Sequence, residues 1–430
     1  MSDERVYDVI VLGGGVIGVA TAYWAARAGL HVCLIDRRGG VAEETSRANG
    51  GQIAVSYAEP WANPAAPLKI LQWLSSQTAP VAARLRADPA QWMWMARFLA
   101  NCTPWAAARN TADVMALGLY ARDRLRDIRA EEGLSYASQT RGILHIYRSE
   151  RALSKAARAA EAMQKMGCDR RIVTAGEACV IEPVLADAED PIAGATYTKD
   201  DESGDARLFA LALAARAGEI GCDFTFGSAV ARLTPPEGNG LWRAELLGGG
   251  ADLAARHVVC CLGPESAGFL RRLRIPNHVY PVRGYSISIP IDGANGAPLT
   301  SVTDEENKLV FSNLGDHLRV AGYAVVDGYE RDIDETACVR MAATARRLFP
   351  NAGAYDEMKT WAGLRPMTPS SRPYIGQTRH RGLWVNTGHG TLGWTLAAGS
   401  GKLIADMISK GETDLGPVRS GETPWSMSSP

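Results

Sequence analysis

Val6-Tyr7-Asp8-Val9-Ile10-Val11-Leu12-Gly13-Gly14-Gly15-Val16-Ile17-Gly18, followed after an alanine-rich stretch by His31-Val32-Cys33-Leu34-Ile35-Asp36, decides how this sequence folds. Residues 7–12 are apolar and β-branched, as a buried parallel strand requires. Gly13, Gly15 and Gly18 fit G-x-G-x-x-G: Gly13 for the tight turn, Gly15 for close approach of backbone to a pyrophosphate, Gly18 for helix-on-strand packing. Residues 19–29 read as a helix that Gly29 stops, and its N-terminus offers free N–H groups to phosphates. Residues 31–35 form the second strand. Asp36, about 20 residues past the turn, is placed to accept hydrogen bonds from ribose hydroxyls. Strand, glycines, helix, strand and acid agree in order, so the unit is a dinucleotide site. The acid disfavours a 2′-phosphate and hence NADP; NAD and FAD both stay open.

Outward from this unit, 430 residues are enough for one large or two interleaved domains, and 46% hydrophobic with 22% charged residues suits a globular protein with a sizeable core. A net charge of −1 gives no reason to expect nucleic acid as a partner. None of the eight cysteines forms a CxxC pair, and His257 near Cys260 has no second ligand pair, so no metal is expected. Residues 6–30 hold Asp8 and Arg27 and follow an acidic Asp3-Glu4 pair, which argues against a secretory leader or spanning helix. A cytoplasmic protein with free thiols is the expectation.

Further along, residues 39–67 read as an irregular loop around Asn49-Gly50-Gly51, and 68–129 as largely helical. Strands are expected at 141–147, 194–197, 223–226, 227–233, 257–262, 280–289 and 308–325, and helices at 207–221 and 341–349. Leu383-Trp384-Val385-Asn386 is a strand running into Thr387-Gly388-His389-Gly390-Thr391-Leu392-Gly393 and an apolar helix over 394–409. This repeats the opening architecture, and its helix N-terminus suits an electron-rich group. The tail after Gly411 is expected to fray.

These segments together resemble the FAD-dependent D-amino acid dehydrogenase family, within the D-amino acid oxidase and glycine oxidase superfamily. The resemblance runs over nearly the whole chain. It rests on the opening glycine unit, on Glu44-Thr45-Ser46-Arg47-Ala48-Asn49-Gly50-Gly51-Gln52-Ile53 and on Pro281-Val282-Arg283-Gly284-Tyr285-Ser286. Trp361-Ala362-Gly363-Leu364-Arg365-Pro366-Met367-Thr368-Pro369 and Asn386 to Thr395 are its more specific parts. The resemblance implies an α/β fold: a Rossmann-like FAD-binding domain (1–58, 174–270 and 355–430) interleaved with an α+β substrate domain built on an antiparallel sheet (59–173 and 271–354).

It also implies non-covalent FAD, held by Gly13, Gly15, Val16, Ile17 and Gly18, with Asp36 on the ribose, Arg37 beside it, and Thr45 and Ser46 near the pyrophosphate. Val230 and Gly263 would meet the adenosine end. Asn49, Gly50, Gly51, Gln52 and Ile53 would pass the flavin ring, with Gly363 close by. Gly388, His389, Gly390, Thr391, Leu392, Gly393, Trp394 and Thr395 would lie at its pyrimidine end, where reduction places negative charge. His389 either packs in this turn or touches flavin or substrate.

Arg365 matches the superfamily's carboxylate-gripping arginine, and its planar fork suits that role. Tyr285 and Tyr57 are candidate second substrate contacts, with core packing as the plain alternative. The implied reaction is oxidative deamination of a D-amino acid to a 2-oxo acid and ammonia, with hydride leaving Cα for flavin N5. Electrons would pass to a quinone or another non-oxygen acceptor. Secondary-amine substrates (D-hydroxyproline, D-proline, sarcosine) and a flavin-carrying subunit of a larger complex are the rival readings.

Two features depart from the family pattern. Ser370-Ser371-Arg372 follows Thr368-Pro369 where an acid or glycine is usual, which bears on the pocket rim, and the run 48–51 has an extra glycine. Trp61, Trp73, Trp92, Trp94 and Trp105 mark either a helical bundle over the substrate or a face resting on the cytoplasmic side of the inner membrane. Oligomeric state is not legible.

Overall fold

The strand Arg5–Leu12 lies between two parallel neighbours, Val32–Ile35 on one side and Leu253–Cys260 on the other. Val9 and Val11 pack into one apolar core while Ile10 and Leu12 pack into another on the opposite face. That double burial is why the strand is continuously apolar instead of alternating. The computed structural model describes residues 5–74, 80–237, 240–247, 252–291, 293 and 296–415, excepting the side chains of 71–74. The expected fraying tail lies mostly outside these residues, and so does the side chain of Trp73.

Asp223–Thr225 extends the sheet beyond Val32–Ile35, and Leu383–Thr387 pairs in parallel with the far half of Leu253–Cys260. An antiparallel ribbon, Val230–Glu237 with Leu241–Leu246, closes the other edge. The helix Val16–Arg27 covers one face together with the C-terminal helix Gly393–Ser409. Trp24 Nε1 donates to Ala398 O at 3.0 Å across their contact.

The second sheet orders its main strands Lys359–Met367, Tyr280–Pro290, His317–Val326, Leu309–Asn313, Ser301–Asp304, Ile143–Tyr147, Gly194–Thr198 and Arg170–Thr174. It is mainly antiparallel. Two pairs are parallel, Ser301–Asp304 with Ile143–Tyr147 and His317–Val326 with Val81–Ala83, because long helical excursions separate those strands in sequence. Gly194–Thr198 and Lys359–Met367, assigned from sequence to the nucleotide-binding segments, belong to the second sheet.

Two local expectations also change. The helical stretch 68–129 divides into Ala66–Leu74, Pro89–Ala100 and Pro104–Glu132, with the strand Val81–Ala83 inserted. Pro89 and Pro104 open the second and third helices, as residues that start helices but cannot continue them, and Pro80 immediately precedes the strand. The run 308–325 is a hairpin of Leu309–Asn313 and His317–Val326, turned at Gly315 with φ +91°. The fold is thus mixed α/β with two large sheets meeting along a cleft.

Candidate active site

That cleft is a cavity of about 1740 Å³, running from the opening glycine turn to the C-terminal one. At its nucleotide end Gly13 has φ +104°, and a Cβ there would lie 2.6 Å from the Cys261 carbonyl oxygen. A Cβ on Gly18 would lie 1.8 Å from the carbonyl oxygen of Gly13, so Gly18 serves the packing of helix on turn and does not line the cavity. Gly15, Val16 and Ile17 do line it. Val16 N donates to Ser46 Oγ at 3.1 Å, which brings the expected pyrophosphate residue onto the helix N-terminus.

Asp36 lines the cavity and accepts from Gly14 N at 2.5 Å and Arg38 N at 2.7 Å. It therefore also braces the glycine turn, a duty the motif alone does not reveal. Arg37 is held by Glu44 (2.7 Å) and Glu265 (3.3 Å) at the rim. Thr45 Oγ1 donates to Leu364 O at 2.8 Å, tying this loop to the strand that carries Arg365. Val230 and Gly263 lie on the same wall.

Midway, Asn49, Gly50, Gly51 and Gln52 cross the gap between the two sheets. A Cβ on Gly50 would sit 2.6 Å from Val310 Cγ2, and Gly51 has φ +75°, so both glycines are needed where the loop presses on the second sheet. Gln52 Nε2 donates to Ser301 Oγ and Thr303 Oγ1 at 2.9 and 3.0 Å. Ile53 corrects an expectation: it is buried in the core and off the cavity wall, because alternate side chains of this short strand point away from each other.

At the other end, Gly388 and Gly390 have φ +81° and +57°, and Cβ atoms there would collide with Thr368 and Met367. The turn places Gly388, His389, Gly390, Thr391, Leu392, Gly393, Trp394 and Thr395 on the wall. Thr395 Oγ1 accepts from Ala54 N at 3.0 Å and Trp394 Nε1 donates to Gly204 O at 3.0 Å, so both polar groups serve packing. His389 is different. It is 3% exposed, its Nε2 has no partner among the described residues, and burial lowers its pKa to about 3, leaving a neutral imidazole.

Arg365 and Gly363 lie on the wall that the second sheet provides. Arg365 donates from Nη1 to Tyr323 O at 2.6 Å and from Nη2 to Gly322 O at 3.1 Å. Burial lowers its pKa to about 10, which still leaves it cationic at neutral pH. Among the described residues no carboxylate bonds to it. Tyr285 is 3% exposed with an unpartnered hydroxyl, and Tyr57 stacks on His145 at 5.8 Å; both line the cavity. Burial raises the pKa of each.

A polar chain on the same wall has no sequence signature. Lys308 Nζ meets Glu305 Oε2 at 2.6 Å, Glu305 Oε1 meets His145 Nδ1 at 2.9 Å, and His145 Nε2 meets Ser56 Oγ at 3.3 Å. Burial would raise the Glu305 pKa, but His145 and Lys308 outweigh it and hold the carboxyl below its usual range. Trp361, inside a quoted motif but not expected as a site residue, leaves its Nε1 unpartnered on the cavity wall. The unusual Arg372 turns away from the cavity to Asp113 at 3.0 Å, while Ser371 accepts from Trp61 N at 3.2 Å. Trp94 is buried and Trp61 lines the cavity, whereas Trp92 and Trp105 are 50% and 69% exposed, so the tryptophans split between core and surface.

A long cleft, a glycine turn at each end and an acid after the second strand define a dinucleotide-dependent oxidoreductase. Residues 8–407 match the family described as FAD dependent oxidoreductase, and the chain belongs to that family. It is 46% identical over 403 residues to a D-amino acid dehydrogenase of Dechloromonas aromatica (strain RCB), covering 93% of this chain and 96% of that protein. It is 45% identical over 402 residues to one of Paramagnetospirillum magneticum (strain ATCC 700264 / AMB-1), covering 93% and 94%. Among solved structures, glycine oxidase from Geobacillus kaustophilus superposes with TM-score 0.73 over 99% of both chains at 21% identity, which is a likeness of fold. FAD is the cofactor of this family, and the residues fit it. The opening helix N-terminus faces the cavity through Gly15, Val16 and Ile17, the cavity continues to the second turn, and the buried Nε2 of His389 at that turn and Nε1 of Trp361 elsewhere on the wall have no hydrogen-bond partner among the described residues.

Proposed function

We propose that this chain oxidises D-amino acids to imino acids, which water then hydrolyses to 2-oxo acids and ammonia. The observation that carries this reading is Arg365, a buried guanidinium on the cavity wall whose hydrogen-bond partners among the described residues are backbone carbonyls. Such a cation suits a planar anion, and an α-carboxylate matches its fork. The D configuration rests on the two relatives that cover this chain almost end to end.

When bound, FAD supplies the two-electron acceptor that takes the Cα hydrogen with its bonding pair. The chain's own residues bind and orient. Arg365 fixes the carboxylate, and Tyr285 and Tyr57 line the same cavity. The free Nε2 of the neutral His389 is available to flavin or substrate. The substrate amine sheds its proton to solvent so that its lone pair can support loss of the Cα hydrogen. Confinement of both partners in one cleft accounts for much of the acceleration.

Electrons pass on to a quinone or another non-oxygen acceptor, and the exposed apolar side chains of Trp92, Met93, Leu99 and Trp105 support contact with a bilayer surface. Among the described residues no helix is long and apolar enough to cross a membrane, and the contact proposed is peripheral. The decisive experiment is anaerobic mixing of the yellow holoenzyme with D- and L-alanine, D-proline and sarcosine, following the flavin absorption. Bleaching by D-alanine with little by L-alanine is expected. Equal bleaching by both hands, or by sarcosine alone, overturns the reading.

A further inference from the structure

Arg365 sits on the strand Lys359–Met367, yet its side chain does not stay there. It crosses the neighbouring strand Tyr280–Pro290 and reaches the carbonyls of Gly322 and Tyr323 on the strand beyond. The register sets Arg365 opposite Val282 and Gly363 opposite Gly284, so the path runs diagonally over position 284. A Cβ built on Gly284 would lie 2.2 Å from Nη1, 2.3 Å from Cζ and 2.4 Å from Nη2 of Arg365. Gly284 is not among the residues with positive φ, so its backbone would accept a side chain, but a Cβ there would displace the guanidinium.

The far side of this lane is built to match. Arg283 pairs with Val325 but Tyr285 pairs with Gly322, so Gly284 faces two residues, Tyr323 and Ala324, in a β-bulge. Tyr323 has φ +50°, a region that bulky residues avoid. In a regular strand successive carbonyls point to opposite sides, so one side chain could not bond both. The bulge breaks that alternation, and Gly322 O and Tyr323 O both accept from the same guanidinium. Two of a guanidinium's five N–H donors are thereby fixed, and no carboxylate among the described residues pairs with the charge.

We propose that Gly284 is a positioning residue for substrate binding: it acts through Arg365, leaving room for the guanidinium to lie against the Tyr323 bulge with its remaining donors open to the cavity. This rests on the reading that Arg365 grips the substrate carboxylate.

The test is a double-mutant cycle on the FAD-loaded enzyme with Gly284→Ala, Arg365→Ala and the pair. Three quantities are read: KM and kcat for D-alanine, and the dissociation constant of benzoate, a bare carboxylate, from its perturbation of the flavin absorption band. Gly284→Ala is expected to raise both KM and the benzoate constant about tenfold or more while kcat changes far less and flavin content holds. In the Arg365→Ala background it is expected to add nothing. An unchanged KM, or an effect that persists without Arg365, overturns the proposal. If Arg365→Ala itself leaves KM and benzoate binding unchanged, the carboxylate reading falls instead. Should Gly284→Ala fail to fold, it is repeated with Arg365→Lys, whose slimmer ammonium leaves space for the methyl group. Recovery there supports steric conflict with the guanidinium, and continued misfolding overturns it.

Discussion

His389 shows how a single buried side chain on the cavity wall can carry a measurable cost. In an unfolded chain an imidazole takes its proton near pH 6.5, whereas buried His389 does so only at about 3. Below pH 6.5 the unfolded state therefore binds the extra proton. The stability of the folded state is complete above that pH and falls as the medium is acidified toward 3. Between pH 6.5 and 5 the loss expected from this residue is about 2 kcal/mol. Urea midpoints of wild type and His389→Gln at pH 7 and pH 5, at fixed ionic strength, measure it: the variant should lose clearly less stability on acidification. Parallel losses in the two proteins would show that the imidazole is hydrated or partnered in the folded state. The place of Arg365 on the cavity wall was legible because a nine-residue motif, Trp361 to Pro369, encloses it. The reason for Gly284 was not, because the guanidinium it accommodates arrives from a strand that lies 80 residues further along the chain.

At the scale of elements, both glycine turns were readable since strand, turn and helix follow one another without interruption. What could not be read is assembled from distant pieces. The polar chain Ser56, His145, Glu305 and Lys308 draws on three separate parts of the sequence, and no local spacing joins them. The short strand Val81–Ala83 was hidden in a helical stretch because its pairing partner, 324–326, supplies the order that its own sequence does not. The C-terminal helix shows the same dependence on tertiary context. A Cβ on Gly401 would lie 2.7 Å from the Ala20 carbonyl carbon, so helix propensity and packing disagree at that position. Gly401→Ala gains at most about 1 kcal/mol in propensity but is expected to lose about 1–3 kcal/mol by overpacking. Gly176→Ala, with nothing within 4 Å of its Cβ position, should be neutral or mildly stabilising. Thermal unfolding of the two variants gives the comparison, and a Gly401→Ala protein at least as stable as wild type would mean that the two helices separate freely.

Taken as a whole, the molecule carries its charge unevenly despite a net charge of only −1. Between residues 60 and 112 the bases are Lys69, Arg84, Arg86, Arg97 and Arg109, and the single acid, Asp88, accepts from Tyr280 Oη at 2.8 Å. The helix Pro89–Ala100 turns Gln91, Trp94 and Phe98 inward and leaves Trp92, Met93 and Leu99 exposed, with Trp105 just beyond. Phe98, Leu99, Ala107 and Ala108 also line the cavity, so this apolar face is continuous with the site. Aromatic and aliphatic side chains among cations suit an anionic interface, each basic residue near the surface adding about 1 kcal/mol at low salt. A lipid-soluble acceptor would then reach the cleft without crossing water. The purified holoenzyme is expected to float with vesicles containing phosphatidylglycerol and to float much less with phosphatidylcholine alone. Trp92→Asp combined with Trp105→Asp should abolish flotation and leave dye-linked oxidation of D-alanine unchanged, because neither side chain lines the cavity. Wild-type protein that stays at the bottom of the gradient with both vesicle types would remove the membrane from the account, and electrons would then have to leave through a water-soluble carrier.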